Sequence, residues 1–292
     1  MTPSSSKREI ERIAAAALAE DGRLDITSAL TVPPGIRAGG VIEYRSGGVL
    51  SGVAYADAVA RLCGCRIEWT GGEGAAVQPG VAVGIARGDL DDILRAERPL
   101  LNFLQRASGI ATVTRRFVDA IQGTRCRILH TRKTAPGLRS LDIAAVLAGG
   151  GHAHRADLSH EVMVKDNHWR ALARDGAGLE QALAQARKRG VTALYVEVES
   201  LEQVELACSA GATRVVVDNQ PPEKVRDWGR VARERLPGIE VEATGGMSLS
   251  NVRAYAEAGA DFISIGALTH SVTAADIAIE VKAAGPSAPA LP

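Results

Sequence analysis

Aromatic residues make up only 3% of the 292-residue chain, too few for the stacking platforms on which single-stranded nucleic acids bind. Neither sign of charge is in excess, with 34 Lys and Arg against 34 Asp and Glu. No global field draws the chain to DNA or to an anionic membrane, so any affinity for anions has to come from local clusters. Cysteine is sparse: Cys63, Cys65, Cys126 and Cys208 include one C-x-C pair and no C-x-x-C. That pattern argues for packing thiols over a metal or redox site. There is no apolar run of membrane-spanning length, and the start, MTPSSSKREIER, lacks the apolar core of a signal peptide. A soluble, cytoplasmic protein is expected.

What the chain has is aliphatic residues and glycine. At 46% hydrophobic content it can fill one large core or two modest ones. Residues 1–108 read as one domain: a helix near 7–20, then glycine-punctuated apolar segments such as AGGVIEYRSGGVLSGVAY, the texture of short strands and turns. From about residue 97, apolar residues recur at helical spacing, interrupted at Ser108-Gly109. Beyond residue 125 a rhythm sets in. CRILH, EVMVK, ALYVEVE, TRVVVDN, IEVEA and DFISIG are short aliphatic runs, each followed by a stretch that can form a helix. Such βα units predict a parallel sheet buried on both faces, most simply a closed or nearly closed α/β barrel over 109–271, with an open doubly wound sheet as the competing topology. A helix over 272–284, packing back on the first domain, and a flexible tail over 285–292 complete the expected order.

In a βα barrel the ligand site forms where strands end at their carboxyl termini. The runs end there in Thr131-Arg132-Lys133, Lys165-Asp166-Asn167-His168, Glu197, Asp218-Asn219, Thr244-Gly245-Gly246 and Gly266-Ala267. The early units, with GGGHAHRAD between them, supply Arg132, Lys133, His154, Arg155 and Lys165. Such a cluster in a neutral protein suits an anion, and arginine suits a carboxylate through two parallel hydrogen bonds. The later units supply the carboxylates Glu197 and Asp218 and glycine turns whose backbone N–H groups suit a phosphate. Arg132 and Lys133, adjacent on an extended segment, would serve two different anionic groups: a small carboxylate and a phosphorylated sugar. Carboxylates beside a phosphate suggest Mg²⁺ or sugar hydroxyls as partners.

LLNFLQRASGIATVTRRFVDAIQGTRCRILHTRKTAPGLR, GGGHAHR, KDNH, the Asp218-Asn219 pair and SIGALTHS together resemble the quinolinate phosphoribosyltransferase family, in order from about residue 8 to 282. The resemblance implies an N-terminal α/β sandwich domain and an incomplete α/β barrel of parallel strands, assembled as a homodimer or higher oligomer. It implies a pentosyltransferase that joins quinolinate to phosphoribosyl pyrophosphate with decarboxylation. The products would be nicotinate mononucleotide, pyrophosphate and CO₂, on the route to NAD. Arg132, Lys133, His154, Arg155 and Lys165 match residues that bind the quinolinate carboxylates. Glu197 and Asp218 match the carboxylates near the ribose and Mg²⁺. Thr244, Gly245, Gly246, Gly266 and Ala267 fall in loops matching the 5′-phosphate site. Arg98 matches the arginine that completes a neighbouring subunit's pocket. The catalytic set implied is Lys133, Glu197 and Asp218, with Glu197 and Asp218 holding Mg²⁺, directly or indirectly.

The chain departs from the family at Thr244, where serine is usual. It departs again at Ala145, Leu147 and Ala153, where the family usually has an aromatic, a cation and an asparagine. A related branch, pyrophosphorylases associated with molybdenum transport and acting on another acid, shares the AVLAGG and HRA flavour. A non-catalytic protein binding a phosphorylated ligand is the reading of another class. Two sharper readings of single residues carry less: a Schiff-base role for Lys165, and zinc at His152 and His154, which have no third ligand.

Overall fold

A computed structural model describes residues 7–172 and 177–283. In chain order come α1 (Lys7–Glu20), α2 (Ile26–Thr31), β1 (Arg37–Tyr44), β2 (Gly48–Val49), α3 (Val53–Cys63), β3 (Arg66–Trp69), β4 (Ala76–Val77), β5 (Val81–Asp89) and the long helix α4 (Leu90–Ala120). Then follow β6 (Arg127–Leu129), α5 (Arg139–Ala148), β7 (Val162–Val164), α6 (Asp166–Ala171), α7 (Ala177–Lys188), β8 (Leu194–Val198) and α8 (Leu201–Ser209). The chain closes with β9 (Arg214–Asp218), α9 (Pro222–Arg235), β10 (Glu240–Thr244), α10 (Val252–Glu257), β11 (Phe262–Ser264), α11 (Ala267–His270) and β12 (Ile277–Ala283). Among the described residues these elements form two compact units, one from residues 7–115, 134–150 and 268–283, the other from 116–133, 151–172 and 177–267.

The first unit is built on an antiparallel sheet in the order β12-β1-β5-β3, with α1 packed on α3. Alternation buries Ile42 and Tyr44 of β1, the half-buried pattern of a sheet covered on one face. Three expectations change here. The segment expected as a helix over 272–284 is strand β12, paired with β1 from Ala38↔Ala283 to Tyr44↔Ile277. Ile277, Ile279 and Val281 recur with period two, and β-branched side chains fit a pleated surface better than a helix. Helix α4 runs unbroken through Ser108-Gly109 and carries Pro99 inside it. Gly109 is a point of close packing: a Cβ there would strike the Thr273 carbonyl and lie 3.1 Å from Val272 Cγ2. Ser108 hydrogen-bonds the backbone of Ser51 through both roles of its hydroxyl, at 3.0 and 3.2 Å. Finally, residues 134–150, expected within the barrel domain, cluster with the first unit. The tail expected over 285–292 lies outside the described residues.

The second unit is a sheet of six parallel strands in the order β6-β11-β10-β9-β8-β7. Sequence neighbours β6 and β7 stand at its two edges, so the barrel is open between them; a single bridge, Leu129↔His152, borders β6 there. One face of the strands is aliphatic and buried, with Val196, Val198, Val215, Val217, Val241, Ala243 and Ile263, and α8, α9 and α10 pack onto the sheet. The other face is not aliphatic. Because side chains alternate along a strand, Tyr195 and Glu197, then Arg214, Val216 and Asp218, then Glu240, Glu242 and Thr244 share the opposite face. At its amino-terminal end the Arg214 guanidinium lies between the rings of Tyr195 and Phe262, 4.5 and 4.0 Å from their centroids. That sandwich fills the bottom of the sheet's inner face, leaving a cleft at the carboxyl ends.

All four cysteines are free and buried. Burial pushes their thiols up, Cys65 to about 11 and Cys126 to about 12, which removes the thiolate that metal binding or redox exchange needs. They act as small apolar fillers.

Candidate active site

The cleft has a volume of about 560 Å³ and is lined by residues from all six strand ends of the second unit. Its lining follows the period of two: Met163, Lys165, Glu197, Val216, Asp218, Glu242, Thr244 and Ser264 all come from the inward-facing set, while His130 and His154 lie on the segments that follow β6 and precede β7. Thr131, Arg132, Lys133, Arg155, Asn219, Gly245 and Gly246 add the loops that leave those strands.

Two arginines define one chemical pole. The Nε atoms of Arg132 and Arg155 are buried and make no hydrogen bond within the protein. Burial and the positive charge of Arg132 both push the Arg155 guanidinium's pKa down, against weaker support from Glu161 and Asp157. Two mutually repelling guanidinium groups with buried N–H donors cost stability unless an anion satisfies them. Lys133 projects from the exposed turn beyond them, its backbone N–H bonded to Thr131 Oγ1 at 3.2 Å. Lys165, at the end of β7, is ion-paired with Glu197 of β8. Glu197 is buried, and its carbonyl accepts from Trp169 Nε1 at 2.8 Å, which seats α6 over the strand end.

The second pole is a turn. Gly245 and Gly246 follow β10 with φ of +88° and +61°, and a Cβ on Gly245 would lie 2.6 Å from Asn219 Cγ. Asn219 is the one described non-glycine residue in the left-handed region, at φ +52°. It holds the neighbouring turns together: its N–H donates to the Thr244 carbonyl at 3.0 Å and its amide to Asp218 Oδ2 at 2.8 Å. Asn251 closes the glycine loop by accepting from Ser248 N at 2.8 Å and donating to the Gly246 carbonyl at 3.0 Å. The result is a backbone cradle of the kind that takes phosphate oxygens, with Asp218 beside it.

The inner wall is a buried polar chain that sequence reasoning missed. Glu242, mid-strand in β10, accepts from Arg214 Nη1 at 2.8 Å and lies 3.2 Å from His154 Nε2. Burial pushes its carboxyl up, but the hydrogen bond from His154, the charge of Arg214 and a hydrogen bond from Ser264 outweigh it and hold the group down to about 2. His154 Nδ1 accepts from the Arg155 backbone N–H at 2.6 Å, and the His154 N–H donates to His130 Nε2 at 2.9 Å. Both ring nitrogens of His154 are therefore engaged inside the protein. His154, which also lines the cleft, thereby fixes the segment that carries Arg155. Among the described residues no group of three or more His, Cys, Asp and Glu has the arrangement of a metal site. The inward place of Glu242 shows only once β10 is paired with β9 and β11, and His130 lies past the end of β6.

The remaining expected site residues lie elsewhere. Arg98 is exposed on α4 in the first unit, its guanidinium 4.0 Å from Glu97, and does not line this cleft. Gly266 follows β11 and Ala267 opens the short α11; neither lines the cleft. The departures Ala145, Leu147 and Ala153 do not line it either. No helix among the described residues is long and apolar enough to cross a membrane.

Comparison with known proteins agrees over nearly the whole chain. The family models for the N-terminal and C-terminal domains of quinolinate phosphoribosyl transferase match residues 25–108 and 110–280. The nicotinate-nucleotide pyrophosphorylase [carboxylating] of Mycobacterium leprae (strain TN) is 38% identical over 91% of this chain and 94% of its own length. The human protein of that name is 37% identical over 82% of this chain and 80% of its own. Among solved structures, NadC from Streptococcus pyogenes superposes with a TM-score of 0.88 at 30% identity, covering 98% of this chain and 99% of its own. The nicotinate-nucleotide pyrophosphorylase from Francisella tularensis gives 0.87 at 31%, covering 96% and 98%. The inward-facing polar strands, the paired guanidinium groups and the glycine cradle thus sit in a chain that belongs to the quinolinate phosphoribosyltransferase family.

Proposed function

We propose that the chain transfers the phosphoribosyl group of phosphoribosyl pyrophosphate to the ring nitrogen of quinolinate, releasing pyrophosphate and CO₂ to give nicotinate mononucleotide. The observation that carries this reading is the pair of buried, unsatisfied guanidinium Nε groups of Arg132 and Arg155 in one cleft with a glycine phosphate cradle. Arg132 and Arg155 bind the quinolinate carboxylates and hold the ring nitrogen toward the ribose C1, a positioning effect. The C1–oxygen bond to pyrophosphate breaks with its electron pair leaving on oxygen, and the ring nitrogen's lone pair forms the new C1–N bond. The carboxylate beside the now cationic nitrogen then leaves as CO₂. Its bonding pair stays on the ring carbon, which takes a proton. Lys133 lies where it neutralises charge developing on pyrophosphate. Gly245, Gly246 and Thr244 receive the 5′-phosphate.

Mg²⁺ fits the remaining donors, because this ion takes one or two protein carboxylates and completes its shell with phosphates and water. Asp218, at the strand end beside the cradle, would hold it, with Glu197 acting indirectly since Lys165 already occupies its carboxylate. When bound, the ion would neutralise pyrophosphate charge. Arg98, exposed and outside its own chain's cleft lining, acts in the cleft of a second copy, in a homodimer or larger assembly.

The test is turnover of purified protein with phosphoribosyl pyrophosphate and Mg²⁺, offering quinolinate and nicotinate separately. Nicotinate mononucleotide and CO₂ from quinolinate alone is the expected result, and Arg132→Ala should raise the quinolinate KM by tenfold or more. Product from nicotinate would overturn the assignment in favour of a different acid, as would normal quinolinate kinetics in Arg132→Ala. Binding without turnover would mean a sensor. Of the departures from the family pattern Thr244 lines the cleft, and it keeps the hydroxyl of the usual serine.

A further inference from the structure

A backbone N–H can only donate, and this fixes the roles of both histidines in the inner wall. The Arg155 N–H points at His154 Nδ1 at 2.6 Å, so Nδ1 is an acceptor and the ring proton sits on Nε2, facing Glu242 Oε2 at 3.2 Å. The His154 N–H points at His130 Nε2 at 2.9 Å, so His130 carries its proton on Nδ1, 3.2 Å from the Thr131 carbonyl. Glu242 is in turn held by Arg214, which also binds Glu240 through Nε and Nη2 at 2.9 and 2.7 Å. A continuous buried chain therefore runs from the Arg214 sandwich through Glu242 and His154 to the backbone of Arg155. Each link pairs one donor with one acceptor.

We propose that Glu242 is a positioning residue: it selects the Nε2–H form of His154, leaving Nδ1 to pin the Arg155 backbone, so that the Arg155 guanidinium is aimed into the cleft before a dicarboxylate arrives. This rests on the carboxylate-binding role proposed for Arg155. The physical reason is preorganisation. A guanidinium on a loop must otherwise lose conformational freedom on binding, and its neighbour Arg132 repels it. Fixing the ring tautomer through a buried carboxylate is the same device that orients histidines at metal sites, used here on a loop backbone. The effect falls on the acid substrate and spares the phosphoribosyl substrate, whose cradle Glu242 does not touch.

The experiment combines spectroscopy and kinetics on the whole chain. The chain has six histidines, few enough for a long-range ¹H–¹⁵N spectrum to read each tautomer, with His154→Phe assigning the resonance. Ligand-free wild type should show His154 as Nε2–H. In Glu242→Gln, whose amide both donates and accepts, that preference should be lost. The quinolinate KM should rise about tenfold while that for phosphoribosyl pyrophosphate stays within twofold. Because Glu242 acts through His154, adding Glu242→Gln to His154→Phe should cost nothing further. The proposal is overturned by an Nδ1–H form in wild type, by an additive double variant, or by equal KM changes for both substrates. The wild-type tautomer decides even if Glu242→Gln does not fold. Failure of wild type to turn over quinolinate would instead remove the proposed function and leave the tautomer readout standing.

Discussion

Acidification should strike the barrel at Glu242 in particular. Its side chain is 1% exposed, and burial alone would raise its pKa. The hydrogen bond from His154, the charge of Arg214 and a hydrogen bond from Ser264 instead lower it from 4.5 to about 2. A carboxyl whose folded pKa lies below its unfolded one stabilises fully above the unfolded value and loses that contribution as pH falls through the folded value. The shift of some two and a half units corresponds to roughly 3 kcal/mol, at about 1.4 kcal/mol per unit. Most of it should vanish between about pH 4.5 and pH 2, with about 2 kcal/mol gone between pH 5 and pH 3. Two compact units need not unfold in one step, so the assay is amide hydrogen exchange on β9 and β10, compared at the two pH values. Exposed carboxylates with lowered values, such as Asp25, Glu68 and Asp157, titrate in the same range. Subtracting the behaviour of Glu242→Gln removes their share. If wild type and variant lose protection of β9 and β10 equally between pH 5 and pH 3, the buried network is not what holds Glu242 ionised, and the reasoning fails.

Asp142 is fully buried and bound by Arg106 through two bonds of 2.8 Å, with a third from the Ala135 N–H at 3.0 Å; Asp142→Ala leaves the half-buried Arg106 guanidinium and the Ala135 N–H without their acceptor and should cost about 1–3 kcal/mol, read by urea unfolding of the first unit. Gly149→Ala would push a Cβ against the Ala111 carbonyl and to 2.6 Å from Thr114 Cβ, so an overpacking loss of about 1–3 kcal/mol is expected in the same measurement; a stabilised variant would contradict it. Gly245→Ala forces a side chain into the left-handed region and against Asn219, which costs about 1–2 kcal/mol. It should raise the KM for phosphoribosyl pyrophosphate roughly tenfold and leave that for quinolinate near its starting value.

The βα rhythm after residue 125 was legible because aliphatic runs bounded by polar ends are a local pattern, and Arg132, Lys133, Lys165, Glu197 and Asp218 follow from it as residues at strand ends. The same pattern hid Glu242. In IEVEA the glutamates read as strays in an apolar run; closure of the sheet is what gives alternate positions a polar interior in place of a second aliphatic layer. Arg214, at the start of a valine strand, is likewise unremarkable until Tyr195 and Phe262 from neighbouring strands enclose it. The C-terminal segment shows the opposite failure. Ala274, Ala275 and the apolar residues after them suit a helix locally, yet the free edge of β1 pairs with Ile277–Ala283 and decides for a strand. His154 was legible as a cleft residue, while only folding reveals that its two nitrogens meet Glu242 and the Arg155 backbone. The sequence by itself determined which residues carry charge and where each strand stops. Tertiary structure alone decided which of those charges face one another, because that depends on pairing between strands far apart in the chain.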